Sequence, residues 1–335
     1  MGKTTIEWTA TRLENGTVLP GYTFNPWWGC LKVSPGCEHC YADTLARRYG
    51  FDVWGPAKTT SRRMMSENYW KQPHKWNRDA EADGVRRRVF CASMADVFED
   101  HPNVEAARRR LFELIGSTMH LDWLLLTKRP ENILRFLPET WGGNVLLNMW
   151  LGTSVENQAQ AEKRIPELLK VPATVRFLSC EPLLGAITLP WCPSCGGWGD
   201  HDCYAVDDDS PAIDWVIAGG ESGPQARPMH PDWARSIRDQ CQAAGVPFLF
   251  KQWGNWWPAV WFDGPDAEAD NGDAFVDLDR VDHEFLANDG RTWDTMGGRH
   301  MYPPLPLGHW CLMVNEGKKA AGRLLDGRTW DEVPA

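Results

Sequence analysis

The stretch Trp123-Leu124-Leu125-Leu126-Thr127-Lys128-Arg129-Pro130 passes directly from an apolar run to a polar, basic end. A run this short and this apolar fits a strand buried on both faces of a parallel sheet. Five other runs have the same form: Arg88–Met94, Val145–Thr153, Val175–Ser179, Trp215–Ala218 and Pro247–Phe250. Amphipathic stretches follow or separate them, at Val104–Met119, Pro130–Phe136, Gln158–Leu169 and Pro231–Ala244. The last opens with Pro231-Asp232 in its first turn and closes before Gly245, a start and a stop signal for a helix. Alternation of this kind predicts βα units in an α/β fold, either a full or partial (β/α) barrel with loop insertions or a doubly wound sheet.

In barrels, chemistry sits at the C-terminal ends of the strands. Here those ends are polar in succession: Ser93-Met94-Ala95-Asp96, Thr127-Lys128-Arg129-Pro130, Thr153-Ser154-Val155-Glu156-Asn157, Ser179-Cys180-Glu181-Pro182, Gly219-Gly220-Glu221-Ser222 and Lys251-Gln252-Trp253. One such end is ordinary turn chemistry. Six read as the wall of a site.

A seventh unit precedes them. Asn25-Pro26-Trp27-Trp28-Gly29-Cys30 runs into Val33-Ser34-Pro35-Gly36-Cys37-Glu38-His39-Cys40-Tyr41, then a helix from Ala42 to Arg48. Cys30, Cys37 and Cys40 are spaced C-x6-C-x2-C, a soft ligand set that suits zinc or an iron–sulfur cluster. No fourth cysteine lies nearby, so a position stays open, as in catalytic rather than structural metal sites. His39 is a fourth donor by type, but ligation by Cys37, His39 and Cys40 together strains the turn.

The 335 residues allow one large domain or two smaller ones. No transmembrane run or signal-type N-terminus is present, so a cytoplasmic location is expected, with the ten cysteines as thiols or ligands. The barrel is expected over residues 1–253, an acidic, Trp-rich insertion over 254–310, and a C-terminal segment over 311–335 that packs back on the barrel. Within the first, Cys192, Cys195, His201 and Cys203 form C-x2-C-x5-H-x-C, a structural zinc set in an insertion at about 190–212. Asp270-Asn271-Gly272-Asp273 and Asp277-x-Asp279 do not continue into the spaced pattern of a calcium loop. The net charge of −10 is uneven: residues 255–294 carry −9 and 200–214 carry −6, which leaves about +5 elsewhere. Basic runs at 62–63, 86–88 and 108–110 therefore keep nucleic acid open as a partner, against the plainer reading of solvated helix faces.

Taken together, NPWWGCLKVSPGCEHCYA, ADVFED, LLLTKRP, LGTSVENQ, RFLSCEPLLG, DWVIAGGESGP, FLFKQWG and GKKAAGRLLDGRTWDE resemble a bacterial and phage family, the phage Gp37/Gp68-type or three-Cys-motif proteins. The resemblance runs from Ile6-Glu7-Trp8-Thr9 to Trp330. It implies a fold and chemistry near the radical S-adenosylmethionine (SAM) enzymes, whose usual spacing is C-x3-C-x2-C, and a three-Cys-motif partner protein. It implies a [4Fe-4S] cluster on Cys30, Cys37 and Cys40, with SAM on the remaining iron. By strand order, Ser154, Glu156 and Asn157, with the Gly219-Gly220 step, are then expected to hold SAM. Glu181, Glu221 and Lys251 are expected to face substrate or the SAM carboxylate. Gly29 and Gly36 are expected to let backbone approach the sulfurs. Two other classes stay open: a non-enzymatic Cys-cluster protein that binds a partner, and a zinc-dependent barrel enzyme.

Overall fold

The computed structural model describes residues 3–138, 146–190, 212–263, 283–290, 292–293 and 309–334. Seven parallel strands form the central sheet: β1 (Tyr22–Thr23), β2 (Arg87–Cys91), β3 (Leu121–Thr127), β4 (Met149–Ser154), β5 (Arg176–Cys180), β6 (Trp215–Gly219) and β7 (Phe248–Gln252). Each pairs in parallel with the next, so spatial order equals chain order. A doubly wound sheet reverses its order at a switch point. This one never does, and right-handed crossovers in a single direction put the crossover helices on one face. The result is a mixed α/β fold built on a curled, half-barrel sheet, a partial (β/α) barrel.

Strand periodicity sorts the side chains between the two faces. Val89, Cys91, Trp123, Leu125, Met149, Leu151, Leu178, Val216 and Phe248 point outward into the main core. There they meet Leu111 and Ile115 of α3 (Glu105–Gly116), Ile165 and Leu168 of α4 (Gln158–Leu169), and Ile237 and Cys241 of α5 (Pro231–Ala244). The alternate set, Phe90, Leu124, Trp150, Phe177, Trp215, Ile217 and Leu249, fills the concave face. Packing there is tight: a Cβ on Gly152 would lie 2.4 Å from the Phe177 ring.

A half-barrel leaves its inner layer open along one side, and the N-terminal segment covers it. Trp8 is 2% exposed and stands edge-on to Phe90 at 4.5 Å, with Trp215 at 6.3 Å. Val333 joins the same cluster from the other end of the chain. C-terminal residues also run along β7, where Phe250 N–H donates to Trp330 O at 3.0 Å and Trp253 N–H to Gly322 O at 3.1 Å.

Helices α4 and α5 occupy the residues expected for them. The Asn157 side chain caps α4 by accepting from Gln160 N–H, while Pro231 and a left-handed Gly245 bound α5. Helix α3 stops before Met119 because the Ser117 and Thr118 hydroxyls turn back to Leu114 O. Pro130–Phe136 is a 3-10 turn followed by one helical turn, Ile133–Phe136. Three helices lie before β2: α1 (Tyr41–Arg48), at the end of the cysteine stretch, then a single turn at Glu67–Trp70 and α2 (Gln72–Asp83), both in a stretch that the apolar pattern left unassigned.

Four further strands, β8 (Trp256–Asp263), β9 (His283–Ala287), β10 (Thr292–Trp293) and β11 (His309–Asn315), form an antiparallel sheet in the order β8-β11-β9-β10. Strand β11 crosses the expected boundary at 310/311 and pairs with β8 at the start of the acidic stretch, so the two segments share one sheet. Cys192, Cys195, His201 and Cys203, and the Asp270–Asp279 acidic stretch, lie outside the described residues. Among the described residues, no helix is long and apolar enough to cross a membrane.

Candidate functional site

The cysteine stretch leaves β1 and folds over the C-terminal ends of the other strands. Trp27–Trp28 pairs antiparallel with Arg63–Met64, and Gly29 N–H donates to Met94 O at 3.0 Å beyond the end of β2. Gly29 has φ +116°, and a Cβ there would lie 2.3 Å from Val53 O and 2.7 Å from Arg62 Cδ. The glycine is needed because Val53 and Arg62 occupy that space. Asn25 completes the join by accepting from Met94 N–H at 2.8 Å.

Beneath this cap lies a cavity of about 580 Å³, within the range of small-molecule sites. Cys30, Cys37 and Cys40 line it together, and every one of strands β2 to β7 contributes from its C-terminal end. Ser93, Lys128, Ser154, Glu181, Glu221 and Lys251 represent those ends. The floor is apolar, from Ile6, Trp8, Phe90 and Leu126. This is the expected wall of polar strand ends.

Not all of the polar residues face the cavity for the same purpose. Asp96 takes the Thr127 hydroxyl at 2.7 Å, the Lys128 amide at 3.1 Å and Arg129 Nη1 at 2.7 Å. Arg129 reaches on to Cys30 Sγ at 3.6 Å and Leu31 O at 2.6 Å. Glu156, fully buried, pairs with Arg164 at 2.7 Å and accepts from Gly36 N–H at 3.1 Å. Glu221 takes Arg227 at 2.7 and 2.8 Å and lies 3.3 Å from His39 Nδ1. Arg227 also reaches Pro35 O and Glu38. Behind the cap, Arg62 and Glu99 form a buried, two-point pair, and Arg62 also donates to Val53 O and Gly55 O. Four carboxylate–guanidinium pairs thus pin the segment that carries the cysteines.

These contacts redistribute the expected roles. Ser154, Gly220, Glu181, Glu221 and Lys251 line the cavity. Glu156 and Asn157 instead support the cap and start α4, and both stand outside the lining. Gly219 also lies outside it, and a Cβ there would come 2.9 Å from Glu181 Oε1. Gly220 is required by the backbone, since a Cβ would overlap Trp253 O at 1.9 Å. Gly36 faces Glu156, whose Cδ a Cβ would meet at 3.0 Å. The residues least coupled to the cap are Glu181 and Lys251, paired at 2.8 Å, and Lys128, whose Nζ donates to Ser154 Oγ at 3.0 Å.

Electrostatics follow this division. Burial alone would raise Glu156, but Arg164, Lys128 and hydrogen bonds from Ser34 and Gly36 outweigh it and hold the carboxyl below its ordinary value. Burial is likewise outweighed at Glu221, chiefly by Arg227, with His39 assisting. Burial pushes the Cys30 thiol up to about 12, Asp96 adds to this, and Arg129 opposes it. Cys40 is raised by burial against amide hydrogen bonds from Asp43 and Ala42.

Sequence reading missed Arg227, Lys318 and the sealing role of Trp8. None carries a spacing signal, because each reaches the site through a long-range contact. It also gave weight to basic runs whose guanidiniums are engaged within the protein. Arg62 pairs with Glu99, Arg86 with Asp122, Arg87 with Asp83, Arg109 with Glu105 and Arg110 with Glu67. Arg63 lies over the Phe51 ring, Arg88 over Trp150 and Arg108 over Phe136.

A family described as "Protein of unknown function (DUF5131)" matches residues 3–334. The chain belongs to the DUF5131 family. That match spans the barrel, the cysteine cap and the C-terminal segment together, so the family is defined over the whole unit that builds the cavity. Searches of the curated proteins and of the solved structures give no match.

Proposed function

We propose that this DUF5131 member is an iron–sulfur enzyme of radical SAM type, in which Cys30, Cys37 and Cys40 hold a [4Fe-4S] cluster. The observation that carries the reading is the placement of three soft donors, on one pinned loop, at the rim of a cavity walled by the C-terminal ends of six parallel strands. Three thiolates suit a cluster that keeps one iron for an exogenous ligand. Among the described residues, no group of three or more His, Cys, Asp or Glu side chains, these three cysteines included, is arranged to hold a metal ion, so the reading rests on the shared loop and cavity rather than on a formed ligand set. When bound, the cluster would supply the electron for reductive cleavage of SAM, and the resulting carbon radical would take hydrogen from substrate.

The chain's own residues do the remaining work. Trp8, Ile6, Phe90 and Leu126 keep water from the floor. Ser154 and Lys128 offer a donor pair near the cysteines, and Ser179, Glu181 and Lys251 form a polar wall across β5 and β7. The Asp96–Arg129, Glu156–Arg164 and Glu221–Arg227 pairs fix the loop that carries the ligands, the supporting shell on which metal sites depend.

A second reading, a Cys-cluster protein that docks a partner, draws on Leu31 and Val33, which are 39% and 44% exposed on the cysteine segment. The separating experiment is incubation of the reconstituted, dithionite-reduced protein with SAM. Formation of 5′-deoxyadenosine that requires all three cysteines supports the enzyme. A reducible cluster that never yields it favours the docking protein.

A further inference from the structure

The three cysteines share a loop and a cavity, but their sulfurs do not share surroundings. Cys37 Sγ lies 3.8 Å from Ser34 Oγ. Cys40 stands at the head of α1, where the amides of Asp43 and Ala42 donate to its sulfur. Cys30 Sγ instead accepts from Arg129 Nη1 at 3.6 Å, a hydrogen-bond distance for the large sulfur atom. A hydroxyl and amides bring dipoles. Arg129 brings a full charge, and a guanidinium stays protonated in a protein.

That charge is fixed in place. Nη1 has two hydrogens, one for Cys30 and one for Asp96 Oδ2 at 2.7 Å, while Nη2 donates to Leu31 O at 2.6 Å. Asp96 is itself held by the Thr127 hydroxyl and by the amides of Phe98 and Lys128. Arg129 and Asp96 are 7% and 5% exposed, so water screens their effect on the sulfur only weakly. The other guanidiniums that hold the loop differ. Arg164 reaches Ser154 O and Glu156, and Arg227 reaches Pro35 O, Glu38 and Glu221. Among the described residues, neither meets a sulfur.

We propose that Arg129 sets the reduction potential of the group held by Cys30, Cys37 and Cys40, and that Asp96 limits this effect by partly neutralising it. This role rests on the cluster reading for its redox centre and adds an electrical function to a residue whose ion pair alone would make it a clamp. Cluster potentials follow net charge, hydrogen bonds to the sulfurs and solvent exposure. Reduction adds a negative charge beside a fixed positive one, so Arg129 favours the reduced state and Asp96 opposes it.

Each variant therefore has a sign. Arg129→Met should make reduction about tenfold less favourable, a shift of ~59 mV to more negative potential for a one-electron couple. Asp96→Asn keeps Arg129 but removes its counter-charge, and should shift the potential the other way. Arg227→Ala loosens the same loop without touching a sulfur and should stay near wild type. The test is an anaerobic dithionite titration of the reconstituted full-length proteins against dyes of known potential, read by visible and electron paramagnetic resonance spectra. The cluster gains one electron and dithionite is oxidised to sulfite, with no bond to the protein formed or broken. Opposite shifts support the proposal, because Arg129→Met and Asp96→Asn break the same ion pair and mere structural damage would move both the same way. Where Arg129→Met does not load iron, Asp96→Asn decides: a potential there that is unchanged or more negative overturns the proposal, as does an equal shift in Arg227→Ala. A wild-type protein without the chromophore fails the cluster reading itself. A chromophore whose potential ignores both charges fails this proposal alone.

Discussion

The backbone amide of Gly36 donates to Oε1 of Glu156 at 3.1 Å, tying the residue before Cys37 to the end of β4 across 120 positions of sequence. Glu156 cannot yield easily, since Arg164 holds its other oxygen at 2.7 Å and both side chains are buried. The cysteine loop is therefore seated on the barrel by a carboxylate with a fixed position.

Gly36→Ala puts a methyl group 3.0 Å from Glu156 Cδ. We expect a loss of about 1–3 kcal/mol, typical of overpacking at a rigid site. Glu156→Ala leaves Arg164 buried without its partner and should cost more, about 3–5 kcal/mol. Urea unfolding of the two variants checks the order. A Gly36→Ala protein as stable as wild type would show that the loop is not seated on Glu156.

Acid should release the same contact. Glu156 and Glu221 are held below the ordinary value of 4.5, so each contributes stability that is complete above that value. The contribution is lost as pH falls further, through the depressed folded-state values. The stability difference between wild type and Glu156→Gln should therefore be constant near neutrality and shrink below pH 4.5. Denaturation midpoints across that range measure it, and a difference that grows on acidification has the wrong sign.

Arg227 joins Glu221 to Pro35 and Glu38 while remaining partly accessible. Its removal should loosen the Cys37–Cys40 segment more than the barrel. Limited proteolysis of Arg227→Ala should show faster cleavage near Tyr41, with a thermal midpoint close to wild type. Uniform destabilisation, with no preference for this segment, would count against a local clamp.

Trp8 closes the open side of the half-barrel. Trp8→Ala should cost about 3–5 kcal/mol, the range for a large buried aromatic. Conservative replacement by Phe should recover most of it, because the contacts are ring packing against Phe90 and Trp215. Calorimetry of both variants tests whether the N-terminal segment belongs to the barrel core.

Much of the barrel was legible because its strands are buried on both faces, and that burial writes itself as unbroken apolar runs. Trp215–Ala218 and Pro247–Phe250 fall within a residue or two of β6 and β7. Val145–Thr153 began too early, since Leu147 is 75% exposed in the turn before β4. Strand β1 has two residues and no run to see. The antiparallel sheet was hidden because acidic and tryptophan-rich composition around β8 and β9 reads as a solvated insertion. At the site, residue type separated the polar strand ends from ordinary loops but not their roles. Asp96, Glu156, Glu181 and Glu221 look alike in sequence, and only the partner each finds, three arginines and one lysine, distinguishes support from cavity.

The central claim is that Cys30, Cys37 and Cys40 hold a cluster over the strand-end cavity. Anaerobic reconstitution with iron and sulfide, followed by visible spectra before and after dithionite, tests it most directly. The account predicts a brown chromophore that bleaches on reduction and is absent from the Cys30/Cys37/Cys40→Ala variant. A colourless protein that carries zinc at those cysteines would contradict it.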